Sequence, residues 1–230
     1  MGAIFRREVR SYFTSPIGYI FLAAFYAYSG VMFANYSLES GYTRLDSVFS
    51  ALLIIIIVLI PVLTMRTISE EKRTKTDQCL LTAPVGLGSI VVGKFLAAFL
   101  IYIIAIAITG VFAVVVSAFG TPDWNVVVGN IVALALVGGA YIFCSSFTEN
   151  QIVAAVISFI ALIFVSFLST IGNLLPFEWL TTVCEKVSFG ERYYSFTYGL
   201  FDFSNVVFFL SAIVAFLFLT VRVLEKRRWG

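Results

Sequence analysis

Residues 95–118 read FLAAFLIYIIAIAITGVFAVVVSA, an apolar stretch without a single Asp, Glu, Lys or Arg. A helix needs about 20 consecutive, predominantly apolar residues to cross the hydrocarbon core of a bilayer. The strands of a transmembrane β-barrel instead alternate apolar and polar residues, and this stretch is continuous. It therefore predicts a transmembrane α-helix and an all-α membrane protein.

Five further stretches resemble the first in length and in their near absence of charge. They cover residues 17–36, 48–65, 126–147, 152–175 and 206–223. Together the six stretches predict six transmembrane helices. With short loops these helices use up the 230 residues. We therefore expect one transmembrane domain over residues 1–230 and no separate soluble catalytic domain.

The composition supports the same class. Apolar residues make up 60% of the chain and charged residues 12%, against about 45–50% and about 25% in soluble domains. The net charge of +2 is too small to indicate a nucleic-acid partner. The chain has no His, so His-based metal sites and acid–base motifs are excluded, and we expect no metal site. Cys79, Cys144 and Cys184 lie in separate regions and indicate no disulfide framework.

Residues 4–14 predict an amphipathic helix at the membrane surface. Apolar side chains share one face of the helical wheel and basic side chains share another: Phe5, Val9, Tyr12 and Phe13 on the first, Arg6, Arg7 and Arg10 on the second. Such a helix lies in the interface with its basic residues toward the headgroups. The alternative is an ordinary charged flank to the first span. Ser15-Pro16 ends the segment in either case.

The distribution of basic residues predicts the topology. With the N-terminus inside, 12 of the 15 Lys and Arg fall in inner segments, and only Arg44, Lys186 and Arg192 fall in outer ones. Cytoplasmic segments carry an excess of Lys and Arg. We therefore expect a multi-pass protein of the cell membrane, inner or plasma, with both termini cytoplasmic.

The outer segment 176–205 is unusually aromatic, with seven Phe or Tyr between positions 189 and 203. We expect it to lie along the outer leaflet or to re-enter it, with its non-helical backbone shielded by protein. A plain extracellular loop is the alternative. The residues expected at an outer gate or along a substrate path are Phe189, Tyr193, Tyr194, Phe196 and Phe201.

Two features that suggest chemistry are misleading. Residues 88–94 have the G-x-x-x-x-G-K spacing of a phosphate-binding loop, but Phe95 stands where the motif needs Ser or Thr. The stretch also opens a membrane span instead of following a strand, so we expect Lys94 to extend toward the inner boundary as an interfacial cation. A small membrane enzyme is a weaker alternative, because the spans show no paired Asp, and Ser145-Ser146 have no nearby base.

The inner loop 66–88 carries the most informative polar sequence. Residues 65–85 read MRTISEEKRTKTDQCLLTAPV. This stretch resembles the first cytoplasmic loop of ABC-2 type transporter permeases, in which Met-Arg ends a span and an acidic pair, a Thr, a Leu-Leu and a Pro follow. Many members have Gly before the Thr and Glu two residues after it, whereas this chain has Lys75 and Gln78 at those positions.

Two other stretches resemble particular branches of that family. Residues 146–151 read SFTENQ, and residues 189–202 run from Phe-Gly to Gly-Leu-Phe-Asp. Both are similar to the gliding-motility (Gld-type) and nitrous-oxide-reductase accessory permeases. The resemblance covers essentially the whole chain.

The resemblance implies a permease subunit, not an enzyme. It implies a dimer with a second copy or a related permease, export across the membrane, and a separate ATPase that holds ATP and magnesium, with no cofactor in this chain. Membrane lipids are the remaining partners. The ATPase-coupling residues implied are Glu70, Glu71, Lys72, Arg73, Thr76, Leu80, Leu81 and Pro84. Secondary cytoplasmic contacts would come from Arg6, Arg7, Arg10, Thr148, Glu149, Asn150 and Gln151. A non-transporting scaffold of a cell-envelope machine is the alternative.

Overall fold

The computed structural model describes residues 2–39, 45–73, 86–142, 151–174 and 178–229. Within these ranges the structure describes the whole backbone. It also describes the side chains, except at positions 66–73, 151, 154, 178, 180, 224 and 226–229.

Every regular element in the described part of the chain is helical. The ten α-helices are α1 (Gly2–Thr14), α2 (Pro16–Phe33), α3 (Asp46–Arg73), α4 (Leu87–Ser117), α5 (Trp124–Tyr141), α6 (Gln151–Ser166), α7 (Leu168–Gly172), α8 (Glu178–Val187), α9 (Phe189–Thr197) and α10 (Phe203–Trp229). A π-helical turn over Ala34–Leu38 extends α2.

Five helices are long and apolar enough to cross a membrane. They are Pro16–Leu38, Asp46–Met65, Leu87–Ser117, Trp124–Tyr141 and Phe203–Val223. These correspond to five of the six stretches expected from the sequence. The prediction of an all-helical, multi-pass membrane protein is therefore confirmed.

The fifth stretch, residues 152–175, is not the continuous helix that its hydropathy suggests. Helix α6 ends at Ser166 after 16 residues, which span about 24 Å at 1.5 Å per residue, less than the ~30 Å hydrocarbon core. Phe167 has φ −103° and ψ 18°, outside the helical region. At this break the Ser166 carbonyl accepts a hydrogen bond from the Ser188 hydroxyl, at 3.2 Å.

Helix ends follow local capping chemistry. The Ser15 hydroxyl accepts a hydrogen bond from the Ile17 amide at 3.2 Å, and Pro16 occupies the first helical position, where its missing N–H costs nothing. The Asp123 carboxylate likewise accepts from the Asn125 amide at 3.1 Å, at the start of α5. These caps set where α2 and α5 begin.

Contacts between α2, α3 and α4 fix their directions. The Tyr26 hydroxyl donates to the Ile104 carbonyl at 2.9 Å, and the rings of Phe33 and Phe112 stack at 4.4 Å. Both contacts place α2 parallel to α4. Helix α3 returns beside α2, where the Tyr28 hydroxyl donates to the Ala51 carbonyl at 3.3 Å.

Helix α1 crosses one end of this three-helix group. The Tyr12 hydroxyl donates to the Leu63 carbonyl of α3 at 3.2 Å, and Glu8 contacts Lys94 of α4. Gly18, in the first turn of α2, lies so close to the Tyr12 carbonyl that a Cβ would approach that oxygen to 2.7 Å. Helix α1 therefore marks the level at which α2 begins.

Helices α3 and α4 both continue beyond this level. Helix α3 runs on from Leu63 to Arg73, about 15 Å along its axis at 1.5 Å per residue. Helix α4 begins at Leu87, before it reaches Lys94, and this adds about 10 Å. The expected inner loop 66–88 is therefore helical at both ends, and only its centre lies outside the described residues.

Candidate functional site

Helix α9 is the core of the aromatic segment and lies against α5, α6 and α3. Phe189, Tyr193 and Phe196 are all buried, with exposures of 5%, 0% and 0%. Their spacing of four and three residues places them on one helical face. The structure thus brings together three of the five expected gate residues. Tyr194 and Phe201 are exposed instead.

An amide in α5 holds the C-terminal end of α9. The Asn130 Nδ2 donates to the Val126 carbonyl at 2.8 Å and to the Phe196 carbonyl at 3.3 Å. The Thr197 hydroxyl donates to Asn130 Oδ1 at 3.1 Å. Asn130 is completely buried. Its amide is thus satisfied on both the donor and the acceptor side, as a polar group in an apolar interior requires.

Tyr193 joins the middle of α9 to α3. Its hydroxyl donates to the Phe49 carbonyl at 2.8 Å. The Tyr193 side chain is completely buried, and this hydrogen bond gives its hydroxyl the partner that a buried donor needs.

The N-terminal end of α9 packs against the last residue of α5. The rings of Phe189 and Tyr141 stack at 5.7 Å, and the Tyr141 and Ser166 hydroxyls are 2.6 Å apart. A Cβ added at Gly190 would collide with the Ser166 carbonyl oxygen. Only glycine allows so close an approach between α9 and the end of α6.

These contacts show how far α9 extends along a candidate span. Helix α9 contacts α5 at Tyr141, the last residue of α5, and again at Asn130, the seventh residue of α5. The two positions are about 16 Å apart along α5. We expected part of the backbone in the segment 176–205 to be non-helical. The structure is helical over Glu178–Val187 and Phe189–Thr197 and non-helical over 198–202. Helix formation satisfies the backbone groups internally, as an apolar environment demands.

Arg192 fixes the corner that joins α8, α9 and α10. Its guanidinium donates to the Lys186 carbonyl at 2.9 and 2.7 Å and to Asn205 Oδ1 at 2.8 Å. The same guanidinium lies 4.0 Å from the centre of the Phe208 ring. Arg192, which we expected in an outer segment, therefore also holds α8, α9 and α10 together.

A second polar site joins α1 to α4. Glu8 Oε1 lies 3.5 Å from Lys94 Nζ and 2.6 Å from Arg7 Nη2. Lys94 is 5% exposed and Glu8 is 9% exposed. We expected Lys94 to extend toward the inner boundary as an interfacial cation. In the structure α1 covers its side chain and supplies a carboxylate partner. Residues 88–94 lie within continuous helix, not in a phosphate-binding loop.

The faces of α1 largely follow the expected pattern. Phe5, Val9 and Tyr12 pack against the core, and Arg6 and Arg10 are exposed. Phe13 differs: it is 40% exposed and its ring meets that of Tyr19 edge to face. Tyr12 takes the core position at this end of α1, and Phe13, the next residue, is turned about 100° away from it around the helix.

The proposed coupling residues fall partly outside the description. Glu70, Glu71, Lys72 and Arg73 belong to the helical backbone of α3 instead of a loop, and Gln151 opens α6. The others lie outside the described residues: Thr76, Leu80, Leu81, Pro84, Thr148, Glu149 and Asn150.

Sequence reasoning missed several residues that hold the site together. Asn130 was the most visible, because an amide within an apolar span usually has a structural or functional partner. Glu8 offered a weaker signal as the one acid among the basic residues of α1. Tyr141 and Ser188 gave none, because their roles depend on distant partners.

Comparison with known proteins defines the family. Residues 5–229 match the family model described as ABC-2 family transporter protein. A search of curated proteins found no match to this chain. In the described part of the chain no group of three or more His, Cys, Asp and Glu could hold a metal ion. The match covers nearly every residue and agrees with five helices that can cross a membrane. The chain therefore belongs to the ABC-2 transporter family, as a multi-pass transmembrane permease.

Proposed function

We propose that this chain is the permease subunit of an ATP-binding cassette exporter and works as a dimer coupled to separate cytoplasmic ATPase subunits. The observation that carries the proposal is the family match over residues 5–229, combined with a helical bundle of membrane-crossing length. The family in general uses a partner ATPase. We place ATP and magnesium in that partner.

The topology we propose has six spans, with both termini in the cytoplasm. We place the subunit in the inner or plasma membrane of the cell. The fifth span is the bent unit of α6 and α7, supplemented by the neighbouring α9. Helix α1 lies at the cytoplasmic interface. The excess of basic residues at that end supports this orientation.

Coupling to the ATPase runs through the projecting ends of α3 and α4. These ends extend past the level of α1 by about 15 and 10 Å. The segment 74–85, which includes Leu80 and Leu81, joins these two ends in the chain. Two adjacent Leu side chains are suited to fill an apolar cleft, and the charges before them suit the rim of an interface.

Helix α9 is the proposed outer gate. It reaches into the bundle, and α9 together with its N-cap residue Ser188 forms hydrogen bonds to three different helices: α3, α5 and α6. A shift of those helices would therefore displace α9. The charge-poor spans and aromatic lining favour an amphipathic or lipid-like cargo, and the resemblance of residues 146–151 and 189–202 favours the Gld-type or nitrous-oxide-reductase accessory branch.

The test is a double substitution, Leu80→Asp with Leu81→Asp, in the complete complex. Burial of a Leu side chain is worth roughly 1.5–3 kcal/mol, so the variant should release the ATPase or uncouple hydrolysis from transport. Leu80→Ile with Leu81→Ile is the matched control and should retain both. Reversal of Glu70 should do less, because an exposed ion pair is worth about 1 kcal/mol or below.

The measurements are copurified ATPase per permease and transport-linked hydrolysis in liposomes. A fully active Asp variant would refute the coupling assignment. The complex with native Leu80 and Leu81 is informative too. If it is stable and hydrolyses ATP but moves no cargo, the scaffold alternative is favoured over a transporter.

A further inference from the structure

An apolar groove of about 530 Å³ separates part of α1 from α4. It lies within the size range of pockets that bind small ligands, about 300–1,000 Å³. Its lining is almost wholly apolar and consists of Gly2, Phe5, Leu96, Phe99, Leu100 and Ile103. Leu96 and Leu100 are 38% and 37% exposed, so the groove is open along the surface of α4.

The level of the groove follows from the contacts of α1. Helix α1 meets the bundle where α2 begins, through Tyr12 and Glu8. The α4 residues of the groove continue from Lys94 toward the middle of that helix, up to Ile103. The groove therefore starts at the polar boundary of the bundle and runs into its apolar zone, which is the orientation of a lipid chain.

Two basic residues of α1 follow the groove-lining residues Gly2 and Phe5 in the chain. Arg6 follows the lining residue Phe5 directly, and Arg10 lies one turn further along α1. Both side chains are exposed, and neither has an acidic partner among the described residues. The nearby carboxylate of Glu8 already contacts Arg7 and Lys94. Helix α1 is consequently cationic beside the residues that line the groove.

We propose that this groove binds one acyl chain of an anionic phospholipid, whose headgroup phosphate contacts Arg6 and Arg10. Apolar surface below a cationic rim complements an amphiphile with a negative head. A second copy of the chain or the ATPase would be a poorer match, because neither brings a negative charge attached to a free alkyl chain. The proposal rests on the position of α1 at the membrane interface in the proposed topology, and it does not depend on coupling to an ATPase.

The experiment places a photo-crosslinking amino acid at position 100 of the full chain, in vesicles of phosphatidylglycerol and phosphatidylcholine. Mass spectrometry of the adducts identifies the occupant. We expect phosphatidylglycerol to be enriched over its share of the bilayer. The same probe at position 111, which is exposed on α4 outside the groove, is the matched control and should sample both lipids in proportion.

Arg6→Gln and Arg10→Gln should each lower the enrichment at position 100 about fivefold, the change that corresponds to about 1 kcal/mol per basic residue near an anionic surface. Position 111 should not respond. Raised ionic strength should have the same effect on the native sequence, and this arm needs no variant to fold. Equal lipid ratios at the two positions, or adducts mainly to a second copy of the chain, would overturn the proposal.

Discussion

Glu8 and Lys94 are 86 positions apart in the chain and form a buried ion pair, with Oε1 and Nζ 3.5 Å apart. The pair attaches the N-terminal helix to the first turns of α4. Helix α4 follows directly from the segment that we propose to meet the ATPase. Movement of that segment would therefore be transmitted to α1 as well as to the spans.

The first prediction concerns this pair. Lys94→Ala should destabilise the protein by about 1–3 kcal/mol, because it leaves the Glu8 carboxylate buried with Arg7 as its partner. Complete loss of a partner typically costs about 3–5 kcal/mol, and Arg7 offsets part of that. The measurement is the apparent melting temperature in detergent. The double variant Glu8→Gln, Lys94→Met removes both charges and should recover much of the loss; if it is no better than Lys94→Ala, the pair is not the cause.

The second prediction compares two adjacent tyrosines. Tyr193→Phe removes the hydrogen bond to the Phe49 carbonyl and should cost about 0.5–1.5 kcal/mol. Transport should fall with it, because α9 loses its contact with α3. Tyr194→Phe removes an exposed hydroxyl on the same helix and should change neither stability nor transport. Equal effects of the two substitutions would argue against a specific role for Tyr193.

The third prediction concerns Gly190. Gly190→Ala should destabilise the protein by about 1–3 kcal/mol, because the added methyl group meets the Ser166 backbone carbonyl, which cannot rotate away. Gly110→Ala is the matched control, since a Cβ there has no neighbour within 4 Å. The measurement is the thermal unfolding temperature of the two variants, compared with that of the native protein. A Gly190→Ala protein as stable as the Gly110→Ala protein would show that α9 and α6 can separate freely.

The fourth prediction tests the topology. In a background with Cys79→Ser, Cys144→Ser and Cys184→Ala, single cysteines replace Lys75 and Glu185. A membrane-impermeant maleimide should label position 75 only from the cytoplasmic side and position 185 only from outside. The basic-residue bias underlies this expectation. Labelling of both positions from one side would rule out six spans.

Local composition was sufficient to identify most of the membrane helices. Whether a stretch such as Leu87–Ser117 can cross a bilayer depends on its own length and hydropathy, and no neighbour is needed to decide it. The break at Phe167 was not visible in this way, because residues 152–175 are apolar on both sides of it. It is accompanied by a contact with Ser188, which hydropathy cannot register.

Residues close together in the chain are sufficient to establish the class of this protein, its family resemblance and the apolar face of α1. Which polar groups meet depends instead on the packing of distant segments. Asn130 joins Thr197 across 67 positions, and Tyr193 joins Phe49 across 144. Such pairs depend on how separate helices pack, because a buried polar group is tolerated only where packing brings a partner within hydrogen-bond reach.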